Sequence, residues 1–594
     1  LEIAVESAAR HGEGALAVRM NILGISAFGD GSGAALLVDG KLAAAAEEER
    51  FSRRRRDASL PKRSVRFCLE QGGIQIGDVD FVVFYEKPLK RFERVLSTQL
   101  RSFPRSVRTF PKTLFHWLGD RLWLKNELAA ELGVDPARIV FSEHAASHAS
   151  GAFFCSPFED AAILVADDAG EWATTALAKG SGSELEIVEE IHFPNSLGLL
   201  ASSITQFLGF EPGADEEKVA ALAAHGKPRF ESEISRLVDV AGDGSFAVDT
   251  KLFRFAFDEE NLLTPALARL FGEPRLPSQP VRYAVGAGGA DDNRRDADLA
   301  ASLQCVLERC LLGLAAELAR RVPSKNLCLS GQLAWNVAAN ARLVADGPFE
   351  RLFVQPAAGD AGGALGAALY FHHVGLGAAR HPAMEHPFVG ESVLADPGDT
   401  FAMLADEDRL IDEVTARLLR GELVGWIRGR FEWGPRSLGH RSVLADPRAR
   451  DIRARVSRRV KRREDFLPFS PAVAAERANE LFETPTGAAL PARFMQICLS
   501  AKDRARAFAP DLVHADGCAR PQIVSEDGDP LFHRLLTRFG EAAGEPSLLQ
   551  TSLNLRGDPL VRGEADGRSL FDRSSLDALV VEDRLYARDP ARAS

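Results

Sequence analysis

Two histidines, His144 and His148, stand four residues apart in the string Ser-Glu-His-Ala-Ala-Ser-His-Ala. The string reads as helix, and at i and i+4 two imidazoles leave one helix face about one turn apart. Both can then reach a single cation. Two aspartates sit where carboxylate ligands would be wanted. Asp167 closes the apolar strand-like run at residues 161–166, and Asp360 lies in the glycine-rich turn Pro-Ala-Ala-Gly-Asp-Ala-Gly-Gly that follows a second run at 352–354. Two imidazoles with carboxylates suit a borderline divalent metal such as Fe(II), Mn(II) or Zn(II) rather than calcium. A His-x-x-x-His pair alone is a common helix-surface feature; the aspartates at loop positions raise the metal reading. Such an ion clamps phosphate oxygens and acts as a Lewis acid without changing oxidation state.

These residues need strands and turns to carry them. Residues 22–26 and 34–38 are apolar runs flanking Gly29-Asp30-Gly31-Ser32-Gly33, and Asp39-Gly40 marks a hairpin. This is strand, tight turn, strand. It differs from the strand–loop–helix of a Walker site, and no G-x-x-x-x-G-K-[ST] occurs. A glycine-rich hairpin can turn backbone N–H groups toward a phosphate. The pattern repeats at 161–166, 167–170 and 174–178. A third unit combines a strand at 326–329, the turn Ser330-Gly331 and a helix at 334–344. Two such repeats in one half predict the α/β fold of the duplicated actin and sugar-kinase architecture, with a nucleotide between two lobes.

The chain has 594 residues, which predicts at least two domains. Residues 1–19 read as an upstream or appended extension, 20–373 as the first domain, 374–400 as a Gly- and Pro-bearing linker, and 401–594 as a second, arginine-rich domain. A net charge of −12 disfavours a polyanion binder, so no nucleic-acid partner is expected. The seven cysteines are scattered without a C-x-x-C, which fits a reducing cytoplasm better than a disulfide framework. No apolar run reaches the roughly 18 residues needed to span a bilayer, so no membrane partner is expected. The run Arg53–Arg56 reads as a solvated face, with an acidic-substrate patch as the minority reading. A homodimer is left open.

The string from residue 425 to 448, Gly-Trp-Ile-Arg-Gly-Arg-Phe-Glu-Trp-Gly-Pro-Arg-Ser-Leu-Gly-His-Arg-Ser-Val-Leu-Ala-Asp-Pro-Arg, is highly specific. With residues 22–28, 34–40, 48–52, 144–158, 170–172, 193–200 and 355–370, it resembles the O-carbamoyltransferases of nodulation-factor and antibiotic biosynthesis over residues 21–586. The resemblance implies an actin-like first domain fused to an α+β, YrdC-like second domain. The second would make carbamoyladenylate from carbamoyl phosphate and ATP, with Mg(II) as the nucleotide's companion ion. The first would hold that intermediate on a metal, with Fe(II) preferred, while the hydroxyl of a small-molecule acceptor attacks. Carried over residue by residue, the metal set is His144, His148, Asp167 and Asp360. Lys461 and Arg463 form a Lys-x-Arg pair, and Ser552 and Asn554 a Ser-x-Asn pair, similar to the anion and nucleotide contacts of YrdC-like domains. Arg436, Arg441 and Arg520 are phosphate candidates, since two anionic substrates meeting in one site require fixed cations.

The chain departs from the family at two places near the first site. The family's His-Asp after the first strand reads Asp30-Gly31, so Asp30 either shapes the turn or stands in as a weak base. The family's Gly-Gly-Val-Ala-Leu-Asn reads Gly331-Gln332-Leu333-Ala334-Trp335-Asn336, where Gln332 either crowds the adenosine or adds an amide contact. These departures imply a divergent member. Its acceptor or second step could involve an amine, thiol or carboxylate, and a non-catalytic nucleotide-binding relative stays as the alternative from another class.

Overall fold

The computed structural model describes residues 20–119, 121–277, 279, 294–380, 384–393, 402–403 and 406–588. The expected extension at 1–19 lies outside these. The chain divides into two compact units.

The first unit is built on two five-stranded sheets. β1 (Asn21–Gly29), β2 (Gly31–Val38), β3 (Lys41–Glu47), β4 (Phe81–Phe84) and β5 (Ile139–Phe141) pair in the order β3-β2-β1-β4-β5. β6 (Asp160–Ala166), β7 (Ala173–Ser181), β8 (Glu184–His192), β9 (Asn326–Ser330) and β10 (Arg351–Val354) pair in the order β8-β7-β6-β9-β10. Each sheet thus reads third, second, first, fourth, fifth. In each, the first three strands are antiparallel and the first pairs in parallel with the fourth, as does the fourth with the fifth. This is the duplicated actin and sugar-kinase topology. Strands β1, β2 and β6 are near-continuous apolar runs because both faces are covered. The edge strand β8, Glu-Leu-Glu-Ile-Val-Glu-Glu-Ile-His, carries glutamates that keep its unpaired side from recruiting another strand.

Two helices pack against each other within this unit. α1 (His144–Cys155) lies on β6 and β9, and α2 (Gly363–Tyr370) lies on β1 and β2. Each therefore follows a strand of one sheet in sequence yet covers the other. All of α1 is buried, which its small residues Ala, Ser and Gly permit. Glycine sets the separation: a Cβ on Gly366 of α2 would come within 1.9 Å of the Ser147 carbonyl oxygen of α1, and one on Gly24 of β1 within 1.9 Å of the Ala364 oxygen. Among the described residues one helix, Arg294–Arg321, is long and apolar enough to cross a membrane, but 61% of its apolar window is buried within the protein, as in a core helix.

The second unit holds Glu49–Arg56 and the chain from His386 onward. Its sheet uses β11 (Ala402–Met403), β12 (Val424–Ile427), β13 (Arg441–Ala445), β14 (Ser470–Ala474), β15 (Gln522–Val524), β16 (Ser547–Ser552), β17 (Ala578–Val581) and β18 (Arg584–Ala587) in the order β11-β18-β17-β12-β13-β16-β14-β15. One face buries Trp426, Leu444, Ala472, Leu548 and Val580 under the helices Glu407–Leu419 and Pro530–Ala543; the other buries Ile427, Val443, Leu549 and Val581. The alternation along each strand produces the two cores. Part of the expected linker belongs to this unit's structure: Gly390 and Glu391 exchange backbone hydrogen bonds with Phe431, and Ser392 bridges Arg430.

The helix–helix approach predicts that Gly366→Ala destabilises the protein by about 1–3 kcal/mol, because the new methyl must push α1 away from α2. A lower denaturant midpoint, with weaker metal retention in the same variant, is the expected outcome.

Candidate metal centre and anion cradle

His144 and His148 leave α1 on one face, with ring centroids 4.6 Å apart. Asp167 follows the last residue of β6, and Asp360 opens the turn before α2. The close approach of α1 and α2 therefore converges the two histidines and Asp360 beyond the end of β6. His144 Nε2 lies 2.7 Å from Asp167 Oδ2 and 3.8 Å from Asp360 Oδ1; His148 Nε2 lies 3.4 and 3.5 Å from the same oxygens. One ligand atom from each of the four residues lies within 4.8 Å of the others. An ion about 2.0–2.2 Å from each atom requires ligand–ligand separations of this size.

The surrounding groups prepare these atoms for a cation. Ser330 donates its hydroxyl proton to the Ala358 carbonyl at 3.2 Å, so its oxygen accepts from His148 Nδ1 at 3.2 Å. Nδ1 is thereby the donor to Ser330, and Nε2 is turned toward the carboxylates, without a hydrogen-bond partner among the described residues. Tyr85 Oη is also buried without one. The donor set and the orphaned atoms fit a divalent ion held by two imidazoles and two carboxylates.

Burial opposes a charge on His144, yet the Asp167 hydrogen bond and the carboxylates of Asp360, Asp167 and Glu86 outweigh it and raise its pKa to about 9. Burial likewise works against the Asp167 anion, but the imidazoles hold it well below the usual carboxylate range. Asp168, the next residue, is pushed well above that range by burial and by the neighbouring carboxylates.

Asp30 and Gln332, the two positions singled out in the sequence beside this cluster, meet here. Gln332 donates its side-chain amide to the Asp30 carboxylate. The backbone N–H of Asp30 donates to Asp360 Oδ2 at 2.6 Å, and that of Gln332 to Asp167 Oδ1 at 2.9 Å. Residue 30 and residue 332 thus each orient one acidic ligand and also bond to each other. Gly331 has φ 92°, and a Cβ there would lie 2.3 Å from the Ala166 oxygen, so the turn needs glycine. Asn336 is engaged locally. Its Oδ1 caps the helix Val337–Asp346 through Ala339 N, and its amide is matched to that of Gln304.

In the second unit Lys461 is buried, and the three N–H groups of its Nζ are shared among four acceptors within reach: the Ser552 carbonyl (2.7 Å), Ser552 Oγ (2.8 Å), the Asn554 carbonyl (3.1 Å) and Asn554 Oδ1. The helix Ile452–Val456 ends in a wider turn, Ser457–Lys461, that carries Lys461 inward while Arg458 and Arg459 stay exposed. Burial, reinforced by the Arg463 and Arg55 cations, pushes the Lys461 ammonium well below its ordinary value. Arg463 lies over the Phe469 ring at 4.6 Å, and Arg520 Nε donates to Ser470 Oγ at 3.1 Å. Ser470 is paired with Gln550, two residues before Ser552 on the same face of β16. Arg436 and Arg520 both bear on the Cys498 thiol.

Arg441 is a correction to the candidate set. It is 0% exposed, and its guanidinium donates to the carbonyls of Arg562, Arg428, His440, Glu391 and Gly429. With every nitrogen committed to backbone, it braces a loop and offers nothing to phosphate. Its partner in that task, Glu432, is also fully buried and accepts from the N–H groups of Leu438, His440 and Arg441. Sequence reading missed Glu432. It also missed Tyr85, Glu86 and Glu171 near the metal cluster; Glu171 accepts from the first N–H of α1 at 3.0 Å. Tyr85 and Glu86 could have been found as the residues just past the carboxyl end of an apolar strand, where sites of α/β folds gather.

Profiles of the carbamoyltransferase N-terminus and C-terminus match residues 21–369 and 415–588. The chain is 38% identical to an uncharacterised protein of Synechocystis sp., over 96% of this chain and 97% of that protein. It is 34% identical to the nodulation protein NolNO of Sinorhizobium fredii, over 94% of this chain and 79% of that protein. A 3'-hydroxymethylcephem-O-carbamoyltransferase of Amycolatopsis lactamdurans is 31% identical over 46% of this chain and 51% of its own length.

Two outcomes follow from the geometry. With His144 protonated up to about pH 9 in the ion-free protein, uptake of Fe(II) or Mn(II) should release protons at pH 7–8, and affinity should climb with pH up to about 9. Calorimetry in buffers of different ionisation enthalpy reads the proton count. The same shift stabilises the ion-free fold below pH 6.5, and that contribution is lost as pH rises through about 9. For the touching pair, a cycle of Asp30→Ala, Gln332→Ala and the double variant should show a coupling of about 0.5–3 kcal/mol in unfolding free energy.

Proposed function

Because the chain belongs to the carbamoyltransferase family, which both of its halves match, we propose that it is an ATP-dependent O-carbamoyltransferase working through carbamoyladenylate. The second unit first hydrolyses carbamoyl phosphate to carbamate and phosphate, consuming one water; a carbamate oxygen then attacks the α-phosphorus of ATP, pyrophosphate leaves, and carbamoyladenylate results. Lys461, Arg463, Arg436 and Arg520 counter the charge of the two anions. Ser552 and Asn554 hold the Lys461 ammonium in place until a phosphate competes for it. An anion entering this cradle restores the charge that burial disfavours on Lys461.

The adenylate is then used in the first unit. His144, His148, Asp167 and Asp360 would hold a divalent ion, with Fe(II) preferred, whose chemistry there is that of a Lewis acid. Ser330 and Glu171 fix the histidines, and the buried setting limits water that would hydrolyse the adenylate. Asp30, fixed by Gln332, is placed to orient the hydroxyl of a small-molecule acceptor. The observation that carries this reading is the presence, in one chain, of a buried His2Asp2 cluster and a separate buried lysine cradle, each in the half that matches its part of the family. The cephem relative, a 3'-hydroxymethylcephem-O-carbamoyltransferase, supports a hydroxyl as acceptor. The Asp30–Gln332 pair favours a second reading of the acceptor alone: a side chain other than the family's histidine faces it, so an amine or thiol acceptor belongs in the test.

Purified protein given ATP, carbamoyl phosphate, Mg(II) and Fe(II) should release pyrophosphate and accumulate carbamoyladenylate. Lys461→Ala should lower that rate by about 10²-fold or more. His148→Ala should keep pyrophosphate release within about twofold and lose transfer to an acceptor panel. Pyrophosphate release that ignores carbamoyl phosphate would contradict the proposal, as would loss of both half-reactions in a folded His148→Ala protein.

A further inference from the structure

The second unit includes a short segment, Glu49–Arg56, that lies far in sequence from the rest of it. Its attachments are strong. Arg50 is 0% exposed and donates to the carbonyls of Glu432 (3.1 Å) and Gly434 (2.7 Å). The Phe51 ring meets Phe431 edge-on at 6.1 Å, and the Arg562 guanidinium lies 5.2 Å from the Phe51 ring centre. Arg53 donates to the carbonyls of Pro559 and Leu560 and pairs with Asp566 at 3.4 Å.

The segment closes on itself as a tight loop. Arg53 and Arg56 take left-handed φ values of 58° and 54°, and the Arg56 N–H donates to Glu49 Oε2 at 2.7 Å. The loop tip is Arg54-Arg55, with both side chains exposed. Left-handed backbone at two arginines persists only where surrounding contacts impose it. Here the imposed shape presents a pair of cations.

The tip is anchored beside the lysine cradle. Pro559 and Leu560, which hold Arg53, follow directly on residues 552–558, which hold Lys461 and Asn554. The cations bearing on the Lys461 ammonium are Arg463 and Arg55, opposed by Asp558. Asp558 itself pairs with Arg573 at 3.2 Å. The Arg53 anchor thus sets the loop tip, with Arg55, beside the strand-end segment that holds Lys461. A polyvalent anion held by Lys461 is attracted by a guanidinium carried there and can accept hydrogen bonds from it.

We propose that Arg55 is a phosphate-binding residue of the second unit's site, delivered by the Glu49–Arg56 loop. The site takes a phosphate group; that this group belongs to carbamoyl phosphate or ATP rests on the function proposed above. Arg54, its neighbour at the tip, serves as the control for general surface charge.

Calorimetric titration of the full chain with inorganic phosphate, and separately with pyrophosphate, tests this directly. Arg55→Gln should weaken binding about tenfold, Arg55→Lys should recover part of it, and Arg54→Gln should stay within about twofold of wild type. In the coupled assay, Arg55→Gln should raise the KM for carbamoyl phosphate or for ATP more than it lowers kcat, and the substrate affected identifies the source of the phosphate. Unchanged phosphate affinity in Arg55→Gln, an equal loss in Arg54→Gln, or no phosphate uptake by wild type would each overturn the assignment. Arg55-dependent phosphate binding without pyrophosphate release would instead sink the proposed function and leave the Arg55 site standing.

Discussion

Two carboxylates placed a few ångströms apart in a protein interior repel each other, and each loses several kcal/mol of hydration. They stay ionised only where cations or N–H donors are fixed around them. In the first unit Asp167 and Asp360 are in that position, and much of the local structure answers it. His144 and His148 face them from one helix, Gln332 and Asp30 supply backbone N–H groups, and Ser330 orients the His148 ring. The glycines at the contact of α1 and α2 serve the same end, since a separation one methyl wider would carry the imidazoles away from Asp360.

The second unit meets the problem with the opposite sign. Lys461 is a buried cation, and backbone and side-chain oxygens of Ser552 and Asn554 hold it. The scaffold around it is itself built of buried charge. Glu432 takes three backbone N–H groups on one oxygen, while Arg50 and Arg441 spend their donors on carbonyls. The string from 425 to 448 is therefore distinctive partly because it closes a loop around Glu432. Guanidinium groups suit such bracing, having five donors in a fixed plane.

How the two kinds of arginine differ explains where sequence reading succeeded. The clustering of His144, His148, Asp167 and Asp360 was legible because its signal is local: i, i+4 spacing for the histidines, and strand-end or glycine-turn placement for the aspartates. That Lys461 meets Ser552 and Asn554 is a contact that only the fold reveals. Arg441 was misassigned as a phosphate contact because a buried brace and a ligand-binding cation share the same side chain and the same basic surroundings. The Arg53–Arg56 run read as a solvated face because its neighbours in the chain belong to the other unit.

The sequence by itself determined the repeated strand–turn–strand units, through apolar runs and turn residues that act over a few positions, and it named the four residues that cluster as a candidate metal site. Only the tertiary structure decided that Asp30 and Gln332, 302 positions apart, touch. It likewise decided that Asn336 caps a helix, that Arg441 faces carbonyls, and that residues 49–56 belong to the second unit. The physical reason is the same in each case. Periodicity and turn chemistry are set by neighbours along the chain, whereas the use of a charged or amide group is set by whatever packing brings within about 3 Å of it.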